Sequence, residues 1–202
     1  SGLKVISKLK SDKELHSEIQ WVRVSPDGSR LVYLSTQGIG IYNIKTQESN
    51  LVLKHSDDGL TYYIEPTWHP DENGIIYTKQ VIKPGEIHGF EIAESGIYYL
   101  NLESMESEKL ADGSHGSYVK GKNAIVFERD GMLILKSLKE NNEQIIDEGR
   151  YPSVSPCGNY VAYIKFQKHI KKPSEDNTSN NIIKEGDSVT ISCQEGKIVI
   201  NK

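Results

Sequence analysis

The residues able to do chemistry are scattered along this sequence. Six histidines stand at 16, 55, 69, 88, 115 and 169. None has the HExxH spacing that presents two imidazoles to one zinc ion from a single helical face. Cys157 and Cys193 lack CxxC spacing. They read as free thiols, or as one disulfide in an oxidising compartment. The acidic pairs Asp57-Asp58 and Asp71-Glu72 fall in polar, turn-like stretches. Glycoside hydrolysis needs two carboxylates roughly 5–10 Å apart across a cleft, and nothing marks such a pair here. The nucleophile elbow GxSxG, the dinucleotide fingerprint GxGxxG and the phosphate loop are all missing. No catalytic residue, metal site or cofactor is therefore assigned, and an enzyme is the less favoured reading.

Composition narrows the classes further. The 202 residues suffice for one large domain or two small ones, and the formal net charge is -4. Only four of the 24 basic residues are arginines, and the lysines form no stripe. Nucleic acid is therefore not an expected partner. No apolar run approaches the roughly 20 residues that cross a bilayer. No charged-then-apolar leader opens the sequence, which says little about export.

The elements that must position any site are legible as repeats. "WVRVSPDGSRLVYLS" (21–35), "PTWHPDENGIIYTKQ" (66–80) and "YPSVSPCGNYVAYIKF" (151–166) share one pattern: an apolar run, a Ser-Pro or His-Pro step, a polar turn, then a second apolar run. "SYVKGKNAIVFERDG" (117–131) is a fourth copy that has lost its proline. Gly-led strands follow at "GIGIYNIKTQES", "SGIYYLNLESMES" and "DGMLILKSLKENN", each succeeded by one more short strand. Each unit thus reads as four strands, a to d, rich in Ile, Val, Tyr and Leu and bounded by Gly, Asp, Asn and Ser. No stretch keeps a helical period.

Four antiparallel strands per unit of roughly 40 residues is the pattern of a propeller blade. The expected fold is all-β, a single β-propeller over residues 3–202. Its blades are placed at about 20–54, 64–110, 117–147 and 151–202. Residues 3–10 would supply the missing strand of the last blade and close a ring of four. Five blades, or a piece of a larger propeller, are the alternatives. Residues 167–187 read as a polar, mobile insertion, and "SVTISCQEGKIVINK" as strand c or a terminal hairpin.

The stretches "VSPDGSRLVYLS", "WHPDENGIIYT" and "VSPCGNYVAYI" resemble the WD40-like (PD40) repeats of the TolB-type propeller family. That resemblance implies a propeller in the cell envelope or exported, engaged in protein binding. It does not single out one function, because propellers host many.

In the turns themselves, Pro presets φ for the first central position and Gly accepts the left-handed conformation that follows. Ser25, Pro26, Asp27 and Gly28, then His69 and Pro70, then Ser155, Pro156 and Gly158 are accordingly structural, with His69 a turn partner. Trp68 aligns with Val24 and Val154 and is expected in the core between blades.

Strand direction says where binding belongs. In an antiparallel blade the a–b and c–d turns share one side of the disc, and the b–c and d–a connections share the other. The long b–c stretches 81–94 and 167–187 and the long d–a stretch 55–66 all fall on this second side. Extended loops on a rigid scaffold carry binding. The candidate binding residues are Tyr62, Tyr63, Glu86, His88, Phe90 and Glu91, with Lys171 at the rim. His16, His55 and His115 also fall after a strand d. Arg23, Thr67 and Ser153 align on three strands a and are candidates for an axial channel. The expected function is a monomeric, non-catalytic scaffold for a protein or peptide. A small-ligand or carbohydrate-processing enzyme using the channel is the alternative.

Overall fold

A computed structural model describes residues 19–85, 89–165, 190–194 and 197–201. The first sheet is a meander of β1 (Ile19–Val24), β2 (Arg30–Ser35), β3 (Gly38–Asn43) and β4 (Ser49–Lys54). The second repeats it with β5 (Thr61–Trp68), β6 (Gly74–Pro84), β7 (Phe90–Asn101) and β8 (Ser107–Asp112). The third has β9 (Ser114–Val119), β10 (Ala124–Arg129), β11 (Met132–Ser137) and β12 (Asn142–Glu148). In these three sheets every pairing is antiparallel.

The fourth sheet differs. It takes β13 (Arg150–Val154) and β14 (Val161–Lys165), then the hairpin β15 (Thr190–Gln194) and β16 (Lys197–Asn201). Its order is β13-β14-β16-β15, with β14 and β16 parallel. Both strands read at the C-terminus are thus present, and the second of them takes the place beside β14. Residues 3–10 and 167–187, expected as a closing strand and an insertion, lie outside the described residues. So does the side chain of Cys193, whereas Cys157 is a free, exposed thiol.

The sequence explains the stacking. The middle strands read as nearly unbroken apolar runs, such as Leu31–Leu34 and Ala124–Phe127, and the latter packs against the second sheet on one face and the fourth on the other. The outer strands β4 and β12 are polar and exposed. Val32, Ile39, Trp68, Ile75 and Leu100 fill the space between the first and second sheets. Ile76, Ile97, Ile125 and Phe127 fill the next. Val119, Ala124 and Val126 meet Val154 and Val161 in the third. Each fully buried large side chain contributes roughly 1.5–3 kcal/mol. Trp68 is buried as expected, and its indole N–H donates to the Arg23 carbonyl at 3.1 Å, joining the first two sheets. Val24, expected at the equivalent place, is 53% exposed.

The recurring a–b turn is a hydrogen-bonded unit. The Ser25 hydroxyl accepts from Arg30 N (2.9 Å) and donates to Asp27 (2.6 Å), whose carboxylate accepts from Ser29 N (2.9 Å). Gly28 sits at φ 75°. In the second copy His69 bonds Asp71 through Nδ1, and Glu72 takes the glycine's place at φ 64°. In the copy at 151–166, Tyr160 N donates to the Ser155 hydroxyl at 3.1 Å. The same unit recurs between β4 and β5. There Ser56 bonds Asp58, and Thr61 N donates to the Ser56 hydroxyl at 2.8 Å.

That last turn corrects the expected loop at 55–66: a tight turn ends it, and β5 begins at Thr61. The expected insertion at 81–94 is likewise mostly strand. The β6–β7 ladder runs out to Pro84↔Phe90, because Ile82 and Ile92 continue the β-branched pattern past Thr61↔Val81, where β5 stops pairing.

Candidate functional site

The four inner strands β1, β5, β9 and β13 lie next to one another in that order. Each carries a register shift against its partner. In three of them the bulge holds a non-glycine residue at positive φ: Glu65 at 55°, His115 at 57° and Tyr151 at 55°. Such a conformation costs on the order of 1–3 kcal/mol and persists only where the surroundings impose it. Counted from the ladder, Trp21, Glu65, His115 and Tyr151 are equivalent positions. Arg23, Thr67, Ser117 and Ser153 follow two residues later. Both sets line one cavity of about 230 Å³.

Two carboxylates impose the bulges. Glu65 Oε1 lies 2.6 Å from His115 Nε2, and its Oε2 accepts from His115 N and from the Thr78 hydroxyl, each at 3.1 Å. Glu128 Oε2 accepts from Tyr151 N at 3.3 Å and lies 3.4 Å from His115 Nδ1. Its Oε1 lies 3.5 Å from Arg150 Nε. The His115 ring meets Tyr151 edge-on, with centroids 4.3 Å apart. Glu65 ties the second sheet to the third, and Glu128 ties the third to the fourth. With these oxygens engaged, the network shapes the cavity, and aromatic and cationic groups are offered at its mouth. Trp21 is 42% and Tyr151 50% exposed, and the Arg23 guanidinium lies over the Trp21 ring, 4.2 Å from its centroid.

The residues singled out in the sequence fall in different places. Arg23, Thr67 and Ser153 line the cavity together. Tyr62 and Tyr63 stand on β5, half-buried, rather than in a loop. Tyr63 packs edge-on to Tyr77 at 5.7 Å, and His55 lies 5.3 Å from the Tyr62 ring. Phe90 and Glu91 open β7; Phe90 is 68% exposed, and Glu91 pairs with Lys83 at 2.9 Å. Glu86, His88, Lys171 and His16 lie outside the described residues. His115 faces Glu65 and Glu128, while His55 faces tyrosines.

Sequence reading missed Glu65, Glu128, Tyr151 and Ser117. Ser117 was legible as the fourth partner of Arg23, Thr67 and Ser153. The repeated X-Pro steps Glu65-Pro66 and Tyr151-Pro152 were the available signal for the bulges.

Two further cavities adjoin. One of about 330 Å³ lies on the turn side and shares Arg23, Thr67 and Ser117 with the first. The other, about 610 Å³, lies between the second and third sheets and is lined by His69, Asp71, Tyr99 and Tyr118 among others. Burial pushes the Tyr99 and Tyr118 hydroxyls up, with the Asp71 charge adding to it.

No protein-family model and no curated protein sequence matches the chain. Solved structures do match. An auxiliary nutrient binding protein from Bacteroides thetaiotaomicron aligns at TM-score 0.50 and 15% identity, over 70% of this chain and 34% of its own. The tricorn protease aligns at TM-score 0.52 and 10% identity, over 72% and 20%. The β-propeller domain of the Trilobed protease from Pyrococcus furiosus aligns at TM-score 0.43 and 16% identity, over 68% and 44%. The chain thus spans less than half the length of each of these proteins, and at such identities the likeness is one of fold. With its four-stranded sheets stacked through their inner strands, the chain is an all-β protein of β-propeller architecture.

Proposed function

We propose that this chain is a non-catalytic propeller scaffold that binds a protein or peptide partner, in the cell envelope or exported. The partner docks on the side carrying the β6–β7 hairpin and the mouth of the Glu65–His115 cavity. The observation that supports this most is the pairing of exposed Trp21, Tyr151 and Arg23 with a cavity held open by hydrogen-bonded bulges. Trp, Tyr and Arg are the residues that most often anchor interfaces, and a preformed site loses little entropy on binding. Phe90, on the projecting hairpin, extends the apolar surface. The exported setting follows the resemblance to TolB-type repeats.

Selection of peptides from a random displayed library tests the reading. Selected peptides should lose at least tenfold in affinity with Trp21→Ala and Tyr151→Ala. Replacing residues 84–92 by a short Gly-Ser linker should weaken them too, with the melting temperature nearly unchanged. Peptides whose binding survives all three changes would refute the assignment of this side.

A further inference from the structure

The cavity on the side of the a–b turns has a charge pattern that the scaffold itself leaves unanswered. Its lining combines Arg23 and Lys120 with Thr67, Ser117 and Ser155. Among the described residues, no carboxylate lines it. The protein's other three arginines each face an acid: Arg30 with Glu72 at 3.8 Å, Arg129 with Glu143, and Arg150 with Glu128 at 3.5 Å. Among the described residues, neither Arg23 nor Lys120 faces one. Arg23 lines both this cavity and the first; its guanidinium lies over the Trp21 ring of the first and donates to the Val22 carbonyl at 3.2 Å, which leaves its other donors open to a ligand. The Ser117 hydroxyl oxygen accepts from Val154 N at 3.3 Å, so its proton is available to a further acceptor.

Acids do stand in the adjoining turns, but their own turns engage them. Asp27 accepts from Ser25 and Ser29, and those hydrogen bonds hold its carboxyl well below the usual range. Asp71 is bonded by the His69 ring and Asn73 N. The rest of the lining is Tyr118, whose hydroxyl donates to Asn123, and the apolar Val24, Val154, Trp68 and turn prolines Pro26, Pro70 and Pro156. At about 330 Å³ the space matches the lower end of small-molecule sites.

We infer that the turn-side cavity is a site for a small organic oxyanion, a carboxylate or phosphate carried on a flat apolar body. The guanidinium fork of Arg23 and the Lys120 ammonium take the charged head, since an arginine pairs such groups bidentately. The hydroxyls of Thr67 and Ser117 donate to it. The prolines and Trp68 cover the apolar body. The Ser-Pro steps thereby serve two ends: they fold the a–b turns and they wall this site.

Titration of the chain with 3-phenylpropionate, phenyl phosphate and the neutral 3-phenylpropionamide, followed by calorimetry or NMR shifts, tests this. At least one of the two anions should bind. The amide should be at least tenfold weaker, and added salt should weaken the anion. Lys120→Gln and Arg23→Gln should each weaken the anion at least tenfold with an unchanged melting temperature. Lys120 lines this cavity and not the Glu65–His115 one, so its variant separates the site from the proposed partner surface. Preference for the carboxylate or for the phosphate identifies the head group. Equal binding of acid and amide, binding of neither anion, or indifference to both substitutions would overturn the inference.

Discussion

Glu65 shows how much one side chain can hold. Its carboxylate accepts from the backbone of a neighbouring sheet, from buried Thr78 and from the His115 ring. It does so while its own backbone sits at φ 55°. Replacing it by glutamine keeps the shape but removes the charge and turns one oxygen into a donor facing donors. Glu65→Gln should lower the unfolding free energy by roughly 1–3 kcal/mol in urea titration, since a buried group left without its partner costs about that much. An unchanged midpoint would mean that the bulges are held by packing alone. The sequence could not announce this network. Left-handed backbone is signalled by glycine or asparagine, and here it is occupied by glutamate, histidine and tyrosine. Only the tertiary fold brings Glu65, His115 and Glu128 together.

At the scale of the element, the strand is the unit that the sequence records best. Alternation, β-branched residues and turn chemistry placed the strands of the first three sheets, because each pairs with its neighbours in sequence. The ends of long strands were less legible. Ile82 and Ile92 carry the β6–β7 ladder past the rest of its sheet, and Thr61 starts β5 where a polar loop was expected. A short local pattern cannot show how far pairing continues once a partner strand runs out. Trp68, at the end of β5, was readable as core from its alignment with valines. Its burial at 7% exposure and its bond to Arg23 make it the main tie between the first two sheets. Trp68→Ala should destabilise by roughly 3–5 kcal/mol in chemical denaturation, in line with large aromatic truncations. A loss below about 1 kcal/mol would show that the first sheet packs without it.

Across the whole molecule, successive sheets are tied by a few polar links as well as by their cores. One joins β12 to β14: the Tyr163 hydroxyl donates to Asp147, and Lys165 lies 2.7 Å from it. Burial opposes the charged form of Asp147, but the bonds from Lys165 and Tyr163 outweigh it and bring its pKa down to about 2. Burial and the same carboxylate push the Tyr163 hydroxyl up to about 12. A depressed carboxylate contributes stability that is present above its unfolded pKa, near 4, and is lost as the pH falls through about 2. Asp147→Asn should therefore cost roughly 2 kcal/mol at neutral pH, with the difference from the parent shrinking to nothing by about pH 2. A constant difference across that range would show that Asp147 acts through shape and not through charge.

The parallel pairing of β14 with β16 also sets a tempo. The first three sheets are meanders whose contacts span short stretches of chain, so little loop entropy is spent before each contact forms. The fourth must bring β16 back to β14 across residues 166–189 and the whole of β15. Local contacts close early and distant ones late, so this sheet is the last to assemble and the first to open. The molecule should therefore come together from its N-terminal sheets, with the surfaces around Arg23 and Glu65 gaining Ser153 and Tyr151 only when the slowest step completes.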